Sequence, residues 1–163
     1  MFATAAAIFS VLLIITGVAK VASPHDVERA LVALGMPRIP FAGAVVGVVE
    51  IVVGAAALFA PAALLAQGLL YLGFAGWVLV ALLREVPLAS CGCLGKDDTP
   101  PTWGHMFMNV VAGGLSLAAA ANGPIDMAGG LEGIAMIVVI AVGVFLAYVI
   151  LNDGARLVAV RSR

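Results

Sequence analysis

The stretch FAGAVVGVVEIVVGAAALFA (residues 41–60) decides the architecture. A helix needs about 20 mostly apolar residues to cross the hydrocarbon layer of a bilayer. This stretch supplies them with one ionisable side chain, Glu50, near its middle. Gly43, Gly47, Glu50 and Gly54 follow one another at spacings of four, three and four, which puts them on one helical face. Small residues on a face let a second transmembrane helix approach closely. Glu50 is therefore expected inside a bundle, with a hydrogen-bond partner on a neighbouring helix. An ionisable group at mid-membrane costs about 2.5–3.5 kcal/mol on insertion scales and marks a candidate functional residue. The alternative is a structural carboxyl, protonated or bonded to its neighbour.

Outward from residues 41–60 the pattern repeats. Apolar runs cover about 2–20, 62–83, 105–121 and 131–151, with Pro61 separating the second span from the third. Arg84 and Glu85 end the third, and Asn152, Asp153 and Gly154 stop the last. The run at 105–121 is the shortest and contains Asn109, Gly113 and Gly114. The first run lacks the basic residues that open a signal peptide and reads as a span. Composition agrees: 64% of the 163 residues are hydrophobic and 10% charged, with a mean hydropathy of +1.20. So few charges cannot clothe a soluble core of this size. A net charge of −1 offers no basic surface for nucleic acid. The expected fold class is all-α, a polytopic transmembrane helical bundle forming a single domain over 1–163. It has four to five spans and one short amphipathic interfacial helix.

That short helix follows the first span. In Ser23-Pro24-His25-Asp26, Ser23 is expected to cap, Pro24 to take the first helical position and Asp26 to bond back. Val27, Ala30, Leu31 and Leu34 continue at helical spacing until Gly35 and Pro37. With five spans and the N-terminus outside, Lys20, Arg29, Arg38, Arg84, Lys96, Arg156, Arg161 and Arg163 all fall on the inner side. These are all eight Lys and Arg of the chain, while the outer loops hold Asp126 and Glu132. The positive-inside rule then places the C-terminus and the loop from Arg84 to Gly104 in the cytoplasm.

Both cysteines lie in that loop, in Ala89-Ser90-Cys91-Gly92-Cys93-Leu94-Gly95. Gly92 permits the tight backbone of a small disulfide ring. Strain in such a ring makes the disulfide readily exchangeable. A nearby cation would favour the thiolate, and Lys96 and His105 are the local candidates. A stripe of His105, Asn109, Gly113 and Ser116 runs along the next span. Asn109 and Ser116 bracket Glu50 in depth and are its expected partners. Lys20 is the marginal one, because it sits at a different depth. Trp103 reads as an interfacial anchor, and His105 as either a helix-start residue or part of the site. The rival to thiol exchange is soft-metal (copper) binding or transport through Cys91, Cys93 and His105, with Met106 and Met108 nearby. Those two methionines project about 200° apart on a helix, which weakens that reading. A non-catalytic structural or assembly subunit is the third possibility.

At these residues the sequence resembles membrane proteins of the MauE (methylamine utilisation) and DoxX-like type. The resemblance rests on Thr16-Gly17-Val18-Ala19-Lys20 ending the first span and on Glu50-Ile51-Val52-Val53-Gly54. Cys91-Gly92-Cys93-Leu94-Gly95 and Asn109 extend it, with Leu94 where the family often has phenylalanine. The resemblance implies a bacterial inner-membrane protein of thiol–disulfide redox metabolism, a thiol–disulfide oxidoreductase if it is an enzyme. Its implied partner is a thioredoxin-like protein. MauE is associated with maturation of methylamine dehydrogenase, a disulfide-rich periplasmic enzyme. That periplasmic link conflicts with the cytoplasmic cysteines that the charges imply. A relay from a cytoplasmic thioredoxin reconciles the two, as does the opposite orientation. No cofactor motif is present, and a quinone enters only by analogy with other membrane thiol oxidoreductases.

Overall fold

A computed structural model of the chain describes residues 2–85, 101–122, 133 and 137–146. Six helices are described: α1 (Phe2–Ala22), α2 (His25–Ala33), α3 (Ala42–Ala57), α4 (Pro61–Leu83), α5 (Trp103–Asn122) and α6 (Ile137–Leu146). No strand occurs among the described residues. Among the described residues, three helices are long and apolar enough to cross a membrane: α1 from Ala3, α4 and α5. The apolar helix α3 has 16 residues and the described part of α6 has 10. The chain is an all-α, multi-pass membrane protein.

Two tight antiparallel pairs build the bundle. In the first, α3 lies on α1 through glycine. A Cβ on Gly47 would sit 2.6 Å from the Gly17 carbonyl oxygen, and one on Gly54 2.8 Å from that of Ser10. Backbone meets backbone at both places, so no side chain fits between. The second pair is α4 with α5, where Gly68 and Gly113 face each other; a Cβ on Gly68 would lie 3.2 Å from the Gly113 carbonyl. In lipid, where burial brings no hydrophobic gain, such close packing is what holds helices together. The pairs join where α1 meets α5, around Ala6, Ala7, Leu64 and Ala119. Beside them, α6 rests on α1, with Gly143 against Ile8 and Ile140 against the same alanine-rich layer. By contrast α3 and α4 meet sparsely, leaving a groove of about 740 Å³ lined by Val49, Val53, Leu69, Gly73 and Trp77.

The surface helix α2 departs from the expected start. Ser23 makes no side-chain cap; Pro24 holds the cap position at φ −67°, ψ −23°, and Asp26 pairs with Arg29 one turn on. The reason is continuity. The Ser23 N–H still donates to the Ala19 carbonyl at 2.9 Å, so Ser23 closes the last turn of α1 and the cap position passes to Pro24. The other end follows its glycine. Gly35 is left-handed (φ +81°), its N–H donates to Val32, and the Met36 N–H donates to Leu31, the paired bonds of a Schellman motif. Ala30 and Leu34 pack on Ala81 and Trp77 of α4, and Arg84 donates to the Leu34 carbonyl at 3.3 Å.

Glu28 fastens α2 to the start of α3. Its carboxylate accepts the Phe41 N–H at 2.9 Å and the Arg38 guanidinium N–H at 3.2 Å. Phe41 is left-handed (φ 64°), a conformation unfavourable for a bulky residue, and this bond helps hold it. The Phe41 N–H, with smaller help from Arg38 and His25, keeps the Glu28 carboxyl below the usual carboxylate range against a partial desolvation. A carboxyl lowered on folding stabilises fully above its unfolded pKa, and that stabilisation disappears as pH falls through the lowered value. Protection of the Phe41 amide against hydrogen exchange is therefore expected to fall on acidification in the native protein. In Glu28→Gln it should be weaker and flat across the same range. Equal protection in both proteins at neutral pH would show that Glu28 does not hold the turn.

Candidate functional site

Glu50 is fully buried, on the α3 face that also buries Gly43, Gly47, Gly54 and Ala57. That face lies on α1, so the carboxylate finds its partners there. Lys20 Nζ lies 2.8 Å from both carboxylate oxygens, hydrogen-bonding to Oε2. The Thr16 hydroxyl lies 3.3 Å from Oε2, and it also bonds the Leu13 carbonyl at 3.0 Å. The sequence expectation of a Glu50–Asn109 or Glu50–Ser116 bond is corrected. Asn109 donates its amide to the carbonyl of His105 at 2.7 Å, and Ser116 donates to that of Ala112 at 2.7 Å.

Lys20, the marginal candidate by depth, is the true partner for a geometric reason. Every Cα–Cβ bond in a helix leans towards that helix's N-terminus. Because α1 and α3 are antiparallel, the Lys20 stem leans into the bundle and the Glu50 stem leans back towards the end where α2 sits. The glycine contact at Gly17 and Gly47 removes the remaining gap. Each ion offsets much of the other's desolvation, which neither could bear alone in this layer. The ammonium also lies 5.4 Å from the centre of the Phe74 ring on α4, close enough for a cation–π attraction.

A cavity of about 40 Å³ opens beside the pair, lined by Thr16, Lys20, Glu50, Tyr71, His105 and Asn109 among apolar neighbours. Four helices meet there. His105 is 2% exposed, and its Nδ1 is 2.8 Å from the Thr102 hydroxyl, which also accepts the His105 N–H at 3.3 Å. Tyr71 donates its hydroxyl to the Phe9 carbonyl at 2.7 Å. The stripe expected on α5 thus divides. His105 and Asn109 reach the Glu50 cavity, while Ser116 belongs to a separate polar layer.

That second layer centres on Gln67, which the sequence reading passed over. Its amide donates to Ser116 Oγ at 3.0 Å and to the Ala6 carbonyl at 3.2 Å, and its oxygen accepts from Ser10 at 2.7 Å. A lone amide in the otherwise apolar stretch of α4 was the available signal. Cys91, Cys93 and Lys96 lie outside the described residues, as does their distance from His105. Of the two methionines in the copper reading, Met108 lines the cavity.

Fold and site together define a class, the multi-pass helical membrane proteins with an ion pair buried between helices and a polar cavity beside it. Residues 1–125 match the family described as methylamine utilisation protein MauE, and the chain belongs to that family. The match takes in α1 to α5 and the Cys91-Gly92-Cys93 segment. Comparison with curated proteins gives no match, and neither does comparison with solved structures.

Proposed function

We propose that this chain serves thiol–disulfide exchange in the cytoplasmic membrane, passing a disulfide between Cys91–Cys93 and a thioredoxin-like protein. The role would be accessory to maturation of a target protein, in keeping with the family description of methylamine utilisation. The observation that carries the reading is in the sequence. All the cysteine of the chain stands in Cys91-Gly92-Cys93, in the polar segment joining α4 to α5. Attack by a partner thiolate on the disulfide forms a mixed disulfide and frees the other cysteine as thiolate, and a second thiolate then resolves it. Electrons move from the partner's dithiol to this disulfide, or the reverse, with no other co-reactant. In this reading the segment faces the cytoplasm, in keeping with the distribution of Lys and Arg.

Cys91→Ser and Cys93→Ser test this singly and together. One single variant is expected to accumulate a covalent complex that reductant releases. The double variant should form none, yet extract from the membrane as native protein does. Thiols that stay reduced under every oxidising condition, with no trapped complex in either single variant, would exclude the exchange role. An assembly subunit would then be the better reading, because the Lys20–Glu50 pair and the Gln67 layer can order a bundle without chemistry.

A further inference from the structure

We infer that His105 and Glu50 form a water-bridged proton site inside the bundle, apart from the Cys91–Cys93 pair of the thiol reading. Among the described residues, two buried side-chain N or O atoms lack a hydrogen-bond partner: Glu50 Oε1 and His105 Nε2. They belong to different helices, α3 and α5, and their residues line the same cavity. Buried polar atoms are rarely left without partners. Two such orphans beside one cavity call for a shared third party.

The size and chemistry of the cavity select water. A water needs roughly 10–15 Å³ of probe-sized space and two to four polar partners. The cavity offers about 40 Å³, which is room for water and for no organic ligand of appreciable size. Oε1 is 2.8 Å from Lys20 Nζ without the alignment of a hydrogen bond, so an acceptor direction remains for a water. On the other side the Thr102 hydroxyl accepts the His105 N–H and lies 2.8 Å from Nδ1, where we assign it as the donor because that role completes the bridge. The neutral imidazole then carries its proton on Nε2. The chain of donors reads His105 Nε2–H to water, and water to Glu50 Oε1.

Each packed helix contributes one titratable group to this site. Lys20 comes from α1, Glu50 from α3, the Tyr71 hydroxyl from α4 and His105 from α5. Tyr71 spends its proton on the Phe9 carbonyl, so the mobile proton is shared between His105 and Glu50. His105 is the third residue of α5. A proton accepted there, at the end of the helix next to the α4–α5 segment, passes through water to a carboxylate held between α1 and α3. The bundle can thus take up or release one proton from that end.

Infrared difference spectroscopy of the full chain in lipid vesicles, taken across pH, tests this. A carboxyl signal is expected that disappears in Glu50→Gln and shifts in His105→Gln. A bound-water O–H signal sensitive to H₂¹⁸O should be lost in both variants. A Glu50 signal unchanged by His105→Gln, with no water signal lost in either protein, overturns the inference. Nitrogen-15 NMR of histidine-labelled native protein needs no variant. It should show His105 Nε2 exchanging with water, and an Nε2 shielded from water overturns the site independently. Cys91→Ser/Cys93→Ser is expected to keep every one of these signals, so failure of the thiol proposal leaves this one standing.

Discussion

Replacing Lys20 by methionine is expected to destabilise the folded bundle by about 3–5 kcal/mol, the range seen when one partner of a buried ion pair is removed. Methionine keeps most of the stem and its packing, so the loss falls on the charge. The stranded carboxylate keeps Thr16 at 3.3 Å and nothing else in hydrogen-bonding range on α1. Glu50→Gln should cost less. Lys20 lies two residues from the end of α1, and a lysine near a helix end can swing its head to the interface. Replacing both by methionine should recover most of what Lys20→Met loses, since apolar substitutes for a whole buried pair are often neutral. Unfolding in mixed micelles would measure all three. A double variant no more stable than Lys20→Met would mean that the charges do not act as a pair.

Gly47→Leu should be as damaging by another route. Its Cβ would come within 2.6 Å of the Gly17 carbonyl and 3.0 Å of the Val21 amide nitrogen, both backbone atoms that cannot rotate away. The helices must separate. Overpacking alone costs roughly 1–3 kcal/mol, and separation also pulls Lys20 from Glu50, so a loss above about 3 kcal/mol is expected. Gly73→Leu is the control. Nothing lies within 4 Å of a Cβ there, and the side chain would enter the α3–α4 groove. It should change stability by no more than about 0.5 kcal/mol. Equal recovery of monodisperse protein from both variants after detergent extraction would refute the close α1–α3 seam.

Both expectations rest on a helix face that the residues themselves disclose. The face carrying Gly43, Gly47, Glu50 and Gly54 was readable, because helical periodicity and the cost of a charge in lipid point the same way. The partner of Glu50 was not. Depth was judged from the ends of the apolar runs, whereas α1 continues to Ala22 and its lysine leans inward. Asn109 shared the right level but satisfied its own helix, an outcome that spacing cannot reveal. Gln67 was visible as a lone amide in an apolar run, but its partners Ser10, Ala6 and Ser116 lie on two other helices that no spacing connects to it. The bond from Glu28 to Phe41 closes a turn thirteen residues long and involves a backbone N–H, which no side-chain pattern encodes.

The pairing of α1 with α3 also bears on biosynthesis. Lys20, Thr16, Glu50 and the contact glycines Gly17, Gly43, Gly47 and Gly54 all lie before Ala57. A nascent chain that has released only α3 into the bilayer already holds both charges and the surface that joins them. Thirty residues separate the two ions, and loop closure over so short a span has a modest entropic cost. The most polar element of the described bundle can therefore be neutralised as a hairpin, before α4 and α5 have left the ribosome to build the rest around it.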